Sequence, residues 1–263
     1  MMGVEYGQNG LWGVLTPQAN TTVEPELWAL LPPAHSLINA RLVSEKDTIE
    51  ERLVDYTTQF SDTARRFANA PVTCIATACT GASYLIGAAR EAEIVDEMQA
   101  RFGVPFLTAA LATVAALRAM GARRIALLTP YPETLNRPCV LYWEGFGLEV
   151  VAKAGPALQD TAFHPIYAMT GSGVLTSYRE LCDSDADAVL MLGTGMATLG
   201  PILTGLGEGL KPAVSCNLAL AWAAAQAQPW DDLDGKTFDS WRNASHWRGR
   251  FNGSLDSSEH AKQ

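Results

Sequence analysis

Short apolar runs alternate with longer amphipathic segments along most of the chain. The runs have the length and β-branched content of buried strands, and the longer segments have the periodicity of helices. Strands are predicted at residues 11–15, 35–42, 72–78, 105–107, 124–128, 148–152, 188–192 and 212–215. Helices are predicted at residues 45–70, 86–102, 109–120, 134–145 and 173–182, and in an Ala-rich segment that ends at Gln226. The alternation favours an α/β fold with parallel sheet covered by helices.

Small polar residues follow four of the predicted strands, two before and two after about position 120. These strand ends are Thr16 to Thr22, Cys79 to Ser83, Thr129 to Pro132 and Gly193 to Gly195. Ligands of open parallel sheets bind at the carboxyl ends of strands. We therefore predict two pseudo-symmetric α/β halves with an active site in the cleft between them.

The predicted division has three parts. Residues 1–119 form the N-terminal half, which a helix near 217–227 completes, and residues 120–216 form the C-terminal half. The polar tail at 228–263 carries tryptophans at its beginning, so we expect its first part to dock on the body or on a partner subunit. We expect its last residues to be disordered.

Composition and charge exclude several classes of protein. Of the 263 residues, 48% are hydrophobic, which rules out disorder over most of the length. The net charge of −9 argues against binding to nucleic acid. No apolar run is long enough for a membrane span, and the first residues show no secretory signal pattern. We expect a cytoplasmic protein that binds neither nucleic acid nor membrane.

The sequence shows no pattern of a metal or nucleotide site. The five cysteines include no CxxC pair, and the four histidines are scattered. Gly193-Thr194-Gly195 approximates a dinucleotide fingerprint, but the third glycine and a ribose-binding acid are missing. We therefore expect neither a metal ion nor a bound dinucleotide.

Cys79 is the strongest candidate for chemistry. It follows a predicted strand and precedes a helix, where unpaired backbone N–H groups and the helix dipole favour the thiolate. The neighbouring Thr80, Gly81 and Ser83 suit an anion site. The alternative is a buried structural cysteine.

Several segments resemble one enzyme family. Residues 16–24 (TPQANTTVE) resemble the P-x-x-N-T-T-x-E loop of bacterial maleate cis-trans isomerases, which share the aspartate/glutamate racemase superfamily fold with arylmalonate decarboxylases. The turn around Cys79 is similar to the first catalytic-cysteine turn of the family. Tyr131 and Asn136 match its T-x-Y…N segment, and Gly193-Thr194-Gly195 falls where the second catalytic cysteine is found. The resemblance covers roughly residues 10–226.

The resemblance implies a cofactor-free enzyme in which two cysteines flank a small carboxylate substrate. This chain keeps Cys79 but has Gly193 or Thr194 at the second position. A maleate isomerase-type reaction with Cys79 as nucleophile or acid/base group is the primary expectation. The alternatives are an arylmalonate-type decarboxylase with Cys79 as proton donor, a relative from ectoine degradation, and a non-catalytic ligand-binding homologue.

The candidate site residues follow from these motifs. No cluster of Arg or Lys accompanies the four strand ends, so neutral donors are expected to hold the substrate carboxylate. Tyr131 is assigned as a second catalytic group because it can replace the missing acid; the alternative is that it only hydrogen-bonds a carboxylate. The predicted substrate-binding residues are Pro17, Asn20, Thr21, Thr80, Gly81, Asn136, Gly193, Thr194 and Gly195. The superfamily also implies a homo-oligomer, a dimer or a tetramer.

Overall fold

Two parallel sheets organise the computed structural model, which describes residues 4–156 and 165–256. The first sheet has the order β2-β1-β3-β4, and the second has the order β6-β5-β7-β8. The strands of the first sheet are β1 (Gly10–Pro17), β2 (His35–Leu42), β3 (Cys74–Thr77) and β4 (Phe106–Thr108). The strands of the second sheet are β5 (Arg124–Leu128), β6 (Glu149–Ala154), β7 (Ala188–Met191) and β8 (Ala213–Ser215). The two sheets repeat one strand order, which confirms the predicted α/β class.

Helices connect the strands and cover the sheets. They are α1 (Val23–Leu30), α2 (Ile49–Ala64), α3 (Thr80–Phe102), α4 (Ala109–Ala119), α5 (Glu133–Gly145), α6 (Gly171–Leu181), α7 (Leu199–Glu208), α8 (Cys216–Gln226), α9 (Phe238–Arg242) and α10 (Arg248–Asp256). Short 3-10 helices lie at Arg65–Phe67, Pro165–Ala168 and Gly235–Thr237. None of the helices within these described ranges is both long and apolar enough to cross a membrane.

The inner strands are buried over almost their whole length. Every residue of β1, β3 and β7 is buried, and only Arg124 at the start of β5 is partly exposed. Strands that are covered on both faces carry continuous apolar runs, which is why the sequence identifies them well. The edge strand β6 is more exposed and alternates less clearly.

The helix predictions need correction at two helix starts, and several helices were missed. Helix α2 begins at Ile49 rather than at residue 45, because the capping box is formed by Thr48 and Glu51: the Thr48 hydroxyl accepts the Glu51 N–H at 3.2 Å. Helix α3 begins at Thr80 rather than at residue 86, and it is interrupted at Gly87, which has φ +77°. Helices α1, α7, α9 and α10 were not predicted.

The chain returns to the first half after its last strand. Helix α8 follows β8 and packs against α1, α4 and the strands β3 and β4. The segment after it stays on the body: Trp222 Nε1 donates to Thr237 Oγ1 at 2.8 Å, and Trp241 and Trp247 are buried. The predicted disorder at the end of the tail concerns residues 257–263, which lie outside the described residues.

Candidate active site

The site lies where the inner strands of both sheets end. In each sheet the chain leaves the two inner strands, β1 and β3 or β5 and β7, toward opposite sides, and such switch points leave a crevice at the strand ends. The segments that follow these four strands meet at one cavity of about 60 Å³. The cavity is therefore shared by the two halves of the molecule.

Most of the predicted site residues line this cavity. They are Pro17, Asn20, Cys79, Thr80, Gly81, Tyr131, Gly193, Thr194 and Gly195. Because they come from four separate strand ends, their meeting at one place supports the prediction that the two halves face each other across a cleft.

Two predicted contact residues, Thr21 and Asn136, do not line this cavity. Asn20 Oδ1 accepts the N–H groups of Thr22 and Val23 at 2.9 and 3.1 Å, so the chain turns into α1 and Thr21 lines a different cavity beside that helix. Asn136 accepts the Thr129 hydroxyl at 2.6 Å and donates to the Tyr131 carbonyl at 2.8 Å. Asn136 thus fixes the loop that carries Tyr131 and does not line the cavity itself.

Cys79 is the N-cap residue of α3. All five cysteines lie within the described residues, and of these five Cys79 alone lines the cavity. Burial raises the pKa of the Cys79 thiol to about 12, and the backbone N–H of Ala82 opposes this shift. The prediction that the helix start lowers this pKa is therefore wrong, because desolvation outweighs the amide contact. The thiol is protonated at neutral pH in this structure.

Thr194 connects the two halves of the molecule by hydrogen bonds beside the cavity. Its hydroxyl donates to the Ala78 carbonyl at 2.7 Å and accepts from Asn20 Nδ2 at 3.1 Å. Thr22 adds a second link, since its hydroxyl donates to the Gly195 carbonyl at 2.8 Å. These bonds hold the Gly193-Thr194-Gly195 turn against the first half.

Tyr131 places a phenol beside the start of α3. Its hydroxyl lies 3.1 Å from the Thr80 hydroxyl, and either oxygen can be the donor. Tyr131 is half-buried and lines the cavity. Desolvation raises the pKa of Tyr131 well above its ordinary value, while the Thr80 contact opposes the shift. The phenol therefore keeps its proton at neutral pH.

Sequence reasoning missed the wall that α2 contributes. Ile49, Arg52, Leu53 and Tyr56 lie on one face of this helix and line the cavity. Their spacing of three and four residues was a visible signal, but an apolar helix face indicates a core as readily as a site. Ile166 and Tyr167, in the 3-10 helix after the undescribed segment, complete the wall.

A buried carboxyl group next to the site was also missed. Glu26 in α1 accepts the backbone N–H groups of Thr198 and Leu199 and the Asn217 side-chain amide. Burial raises the pKa of Glu26, and the bonds from Asn217, Thr198 and Leu199 oppose that shift. Because Asn217 also donates to the Thr194 carbonyl at 3.1 Å, Glu26 supports the turn that forms the site.

No group of three or more His, Cys, Asp or Glu side chains among the described residues is placed to bind a metal ion.

The fold and the shared cavity define a two-halved α/β protein with a cysteine at one strand end. The chain belongs to the arylmalonate decarboxylase family, whose sequence profile matches residues 12–236. Among curated proteins it is similar to a maleate isomerase of Nocardia farcinica, with 28% identity over 187 residues, which are 68% of this chain and 74% of that protein.

Solved structures of the same family have the same fold. The maleate isomerase Iso of Pseudomonas putida matches with a TM-score of 0.73 and 24% identity, over 83% of this chain and 92% of that one. A liganded double variant of arylmalonate decarboxylase matches with a TM-score of 0.71, 24% identity and the same shares of the two chains. A Cys-to-Ser variant of the Nocardia farcinica maleate cis-trans isomerase, which carries a covalently bound succinylcysteine intermediate, matches with a TM-score of 0.71, 24% identity and the same shares of the two chains. Family members are thus isomerases or decarboxylases.

Proposed function

We propose that this protein is a cofactor-independent isomerase of the maleate cis-trans isomerase type, which acts on a small unsaturated carboxylate through Cys79. The observation that carries the proposal is the position of Cys79 at the start of α3, in the cavity that both halves line. The succinylcysteine intermediate in a related isomerase supports a covalent role for such a thiol.

The proposed reaction begins with addition of the thiol across the carbon–carbon double bond. A bond forms between Cys79 Sγ and one alkene carbon, the π bond breaks, and the other carbon receives a proton from the Tyr131 hydroxyl. The proton that leaves Sγ restores the Tyr131 phenol. The single bond then rotates, and the reverse steps release the trans isomer and the free thiol.

Neutral donors stabilise the charge that develops on the substrate. As Sγ adds, the electron pair moves toward the adjacent carboxylate, which gains enediolate character. Thr80, Tyr131 and the Gly193-Thr194-Gly195 turn line the cavity, and their hydroxyls and backbone amides are the donors that we propose for this charge. Removing one such donor costs about 10²–10³-fold in rate in comparable sites.

A decarboxylase is the second candidate, and the protonated thiol favours it. Burial raises the pKa of Cys79 to about 12, so the group is a proton donor at neutral pH. After carbon dioxide leaves a malonate-type diacid, the electron pair of the broken bond remains as an enediolate. Cys79 would protonate its carbon from one side, and solvent would restore the thiol.

One experiment separates the two candidates. The protein is incubated with maleate and, separately, with phenylmalonate, and products and intact protein mass are measured. We expect fumarate and a maleate-derived adduct on Cys79, with both lost in Cys79→Ser and retained in Cys182→Ser, whose side chain lies away from the cavity. Phenylacetate carrying solvent deuterium, with no adduct, would establish the decarboxylase instead. Binding of maleate or phenylmalonate without any product would indicate a ligand-binding protein rather than an enzyme.

A further inference from the structure

The cavity has one charged side chain in its wall, and it comes from a helix. Of the described residues that line the cavity, Arg52 alone is charged. The other members of its helix face, Ile49, Leu53 and Tyr56, give that wall an apolar and aromatic surface. The strand-end turns on the remaining sides supply amides and hydroxyls. The cavity therefore has neutral hydrogen-bond donors on its strand-end side and one positively charged residue on its α2 side.

Arg52 is held in place by the backbone before its own helix. Its Nε donates to the Lys46 carbonyl at 2.5 Å, and its Nη2 donates to the Asp47 carbonyl at 2.9 Å. No hydrogen-bond partner for Nη1 and no carboxylate within ion-pair distance occurs among the described residues. A guanidinium has five N–H donors, so it keeps donors for an anion after two are used. Fixing it beforehand reduces the entropy that binding costs.

Arg52 also lines the same cavity as the Cys79 thiol. Desolvation raises the pKa of Tyr56 to about 12; Cys79, once ionised, raises this pKa further, and the Arg52 guanidinium lowers it. Tyr56 thus lies near both groups. An anionic group on Arg52 would lie on the α2 side of the cavity while the reacting carbons lie at Cys79.

We infer that Arg52 binds a second anionic group of the substrate, a distal carboxylate, and so selects diacids over monoacids. This inference rests on the proposed function for the reacting carboxylate and extends it to the other end of the substrate. The planar guanidinium fits a carboxylate through two parallel hydrogen bonds, which an ammonium cannot reproduce. In a protein with a net charge of −9, such a local cation also offsets the unfavourable overall field.

The test compares two unreactive four-carbon acids that differ only in the distal carboxylate. Dissociation constants for succinate and for butyrate are measured by titration calorimetry on wild type, Arg52→Met and Arg52→Lys. We expect wild type to bind succinate about tenfold or more tightly than butyrate. Arg52→Met should lose that preference with butyrate binding within about twofold of wild type, and Arg52→Lys should retain part of it.

Arg65→Met is the matched control, since it removes one positive charge at the end of α2, outside the cavity lining. It should leave the preference unchanged. Equal weakening of both acids in Arg52→Met would mean that Arg52 only braces the Lys46–Asp47 backbone, and would overturn the inference. Unchanged succinate binding, or no binding of either acid to wild type, would also overturn it. If Arg52→Met does not fold, Arg52→Gln removes the charge while keeping an amide donor.

The result is independent of the reaction itself. Succinate and butyrate do not react, so a diacid preference that depends on Arg52 can be found even if no adduct forms on Cys79. Conversely, maleate turnover without that preference would leave the proposed function intact and remove only the role of Arg52.

Discussion

The hydroxyl of Tyr131 lies in the space that a side chain at position 193 would need. A Cβ added to Gly193 would be 2.9 Å from this oxygen, closer than real Cβ contacts come. Gly193 also has φ +79°, which L residues with a side chain rarely adopt. The family resemblance predicts a second cysteine at this turn; this chain has none there, and the phenol of Tyr131 lies beside Gly193 instead.

Gly193→Ala should therefore displace Tyr131. We expect a loss of about 1–2 kcal/mol in the free energy of unfolding from the backbone conformation, together with a fall in turnover of at least about tenfold. Gly121→Ala is the matched control, because Gly121 has φ +66° but open space around its Cβ position. It should lose similar stability in urea denaturation and keep its activity. Equal activity in the two variants would contradict the assignment of Tyr131.

Tyr131→Phe tests the phenol without changing its ring. The variant loses the proton donor and the contact with Thr80, so we expect kcat to fall about 10²–10⁴-fold while the substrate KM changes little. Tyr178→Phe removes a phenol hydroxyl that bonds to the Lys211 carbonyl away from the cavity, and it serves as the control. A Tyr131→Phe enzyme with wild-type kcat would exclude this group as the acid.

The raised pKa of Cys79 predicts a specific pH profile for alkylation. Only the thiolate reacts with iodoacetamide, and its fraction rises about tenfold per pH unit below the pKa. With a pKa of about 12, labelling of Cys79 should keep rising between about pH 7 and pH 10 without a plateau. The rate is measured by peptide mass spectrometry, with Cys79→Ser identifying the labelled peptide. A plateau near pH 8 would show that the thiol is activated in the protein.

The strand-end part of the site could be predicted from the sequence. Buried parallel strands leave continuous apolar runs, and the polar turns at Asn20, Cys79, Tyr131 and Thr194 follow those runs directly. Strand order at the switch points then brings the turns together, so local pattern and fold class were enough to locate the cavity. The pKa of Cys79 was mispredicted because the extent of its desolvation depends on the surrounding packing.

The helix-borne part of the site could not be predicted in the same way. Arg52 and Tyr56 reach the cavity because α2 packs against α3, β1 and β2, and the spacing of these residues does not by itself show whether their helix face lines a core or a site. Glu26 is an even clearer case, since its partner Thr198 is 172 residues away in the chain. A glutamate in an amphipathic segment predicts solvent exposure, whereas its burial here depends on donors from α7 and α8.

Glu26→Gln should destabilise the junction between the halves. Glutamine offers one acceptor oxygen, and its amide N–H groups would face the donors on Thr198, Leu199 or Asn217. An unsatisfied buried donor costs about 1–3 kcal/mol, so we expect a loss of about 2 kcal/mol in the free energy of unfolding measured with urea.

The same substitution has a pH dependence of known sign. Because burial raises the pKa of Glu26 above its unfolded value, the contribution of this carboxyl is fully present at low pH and decreases as pH rises through the folded pKa. The difference between wild type and Glu26→Gln should thus be larger near about pH 5 than near about pH 8. The exposed Glu93→Gln, which loses only a surface ion pair with Arg90, should cost less than about 1 kcal/mol. A Glu26 effect as small as that would mean that its buried hydrogen bonds do not hold the halves together.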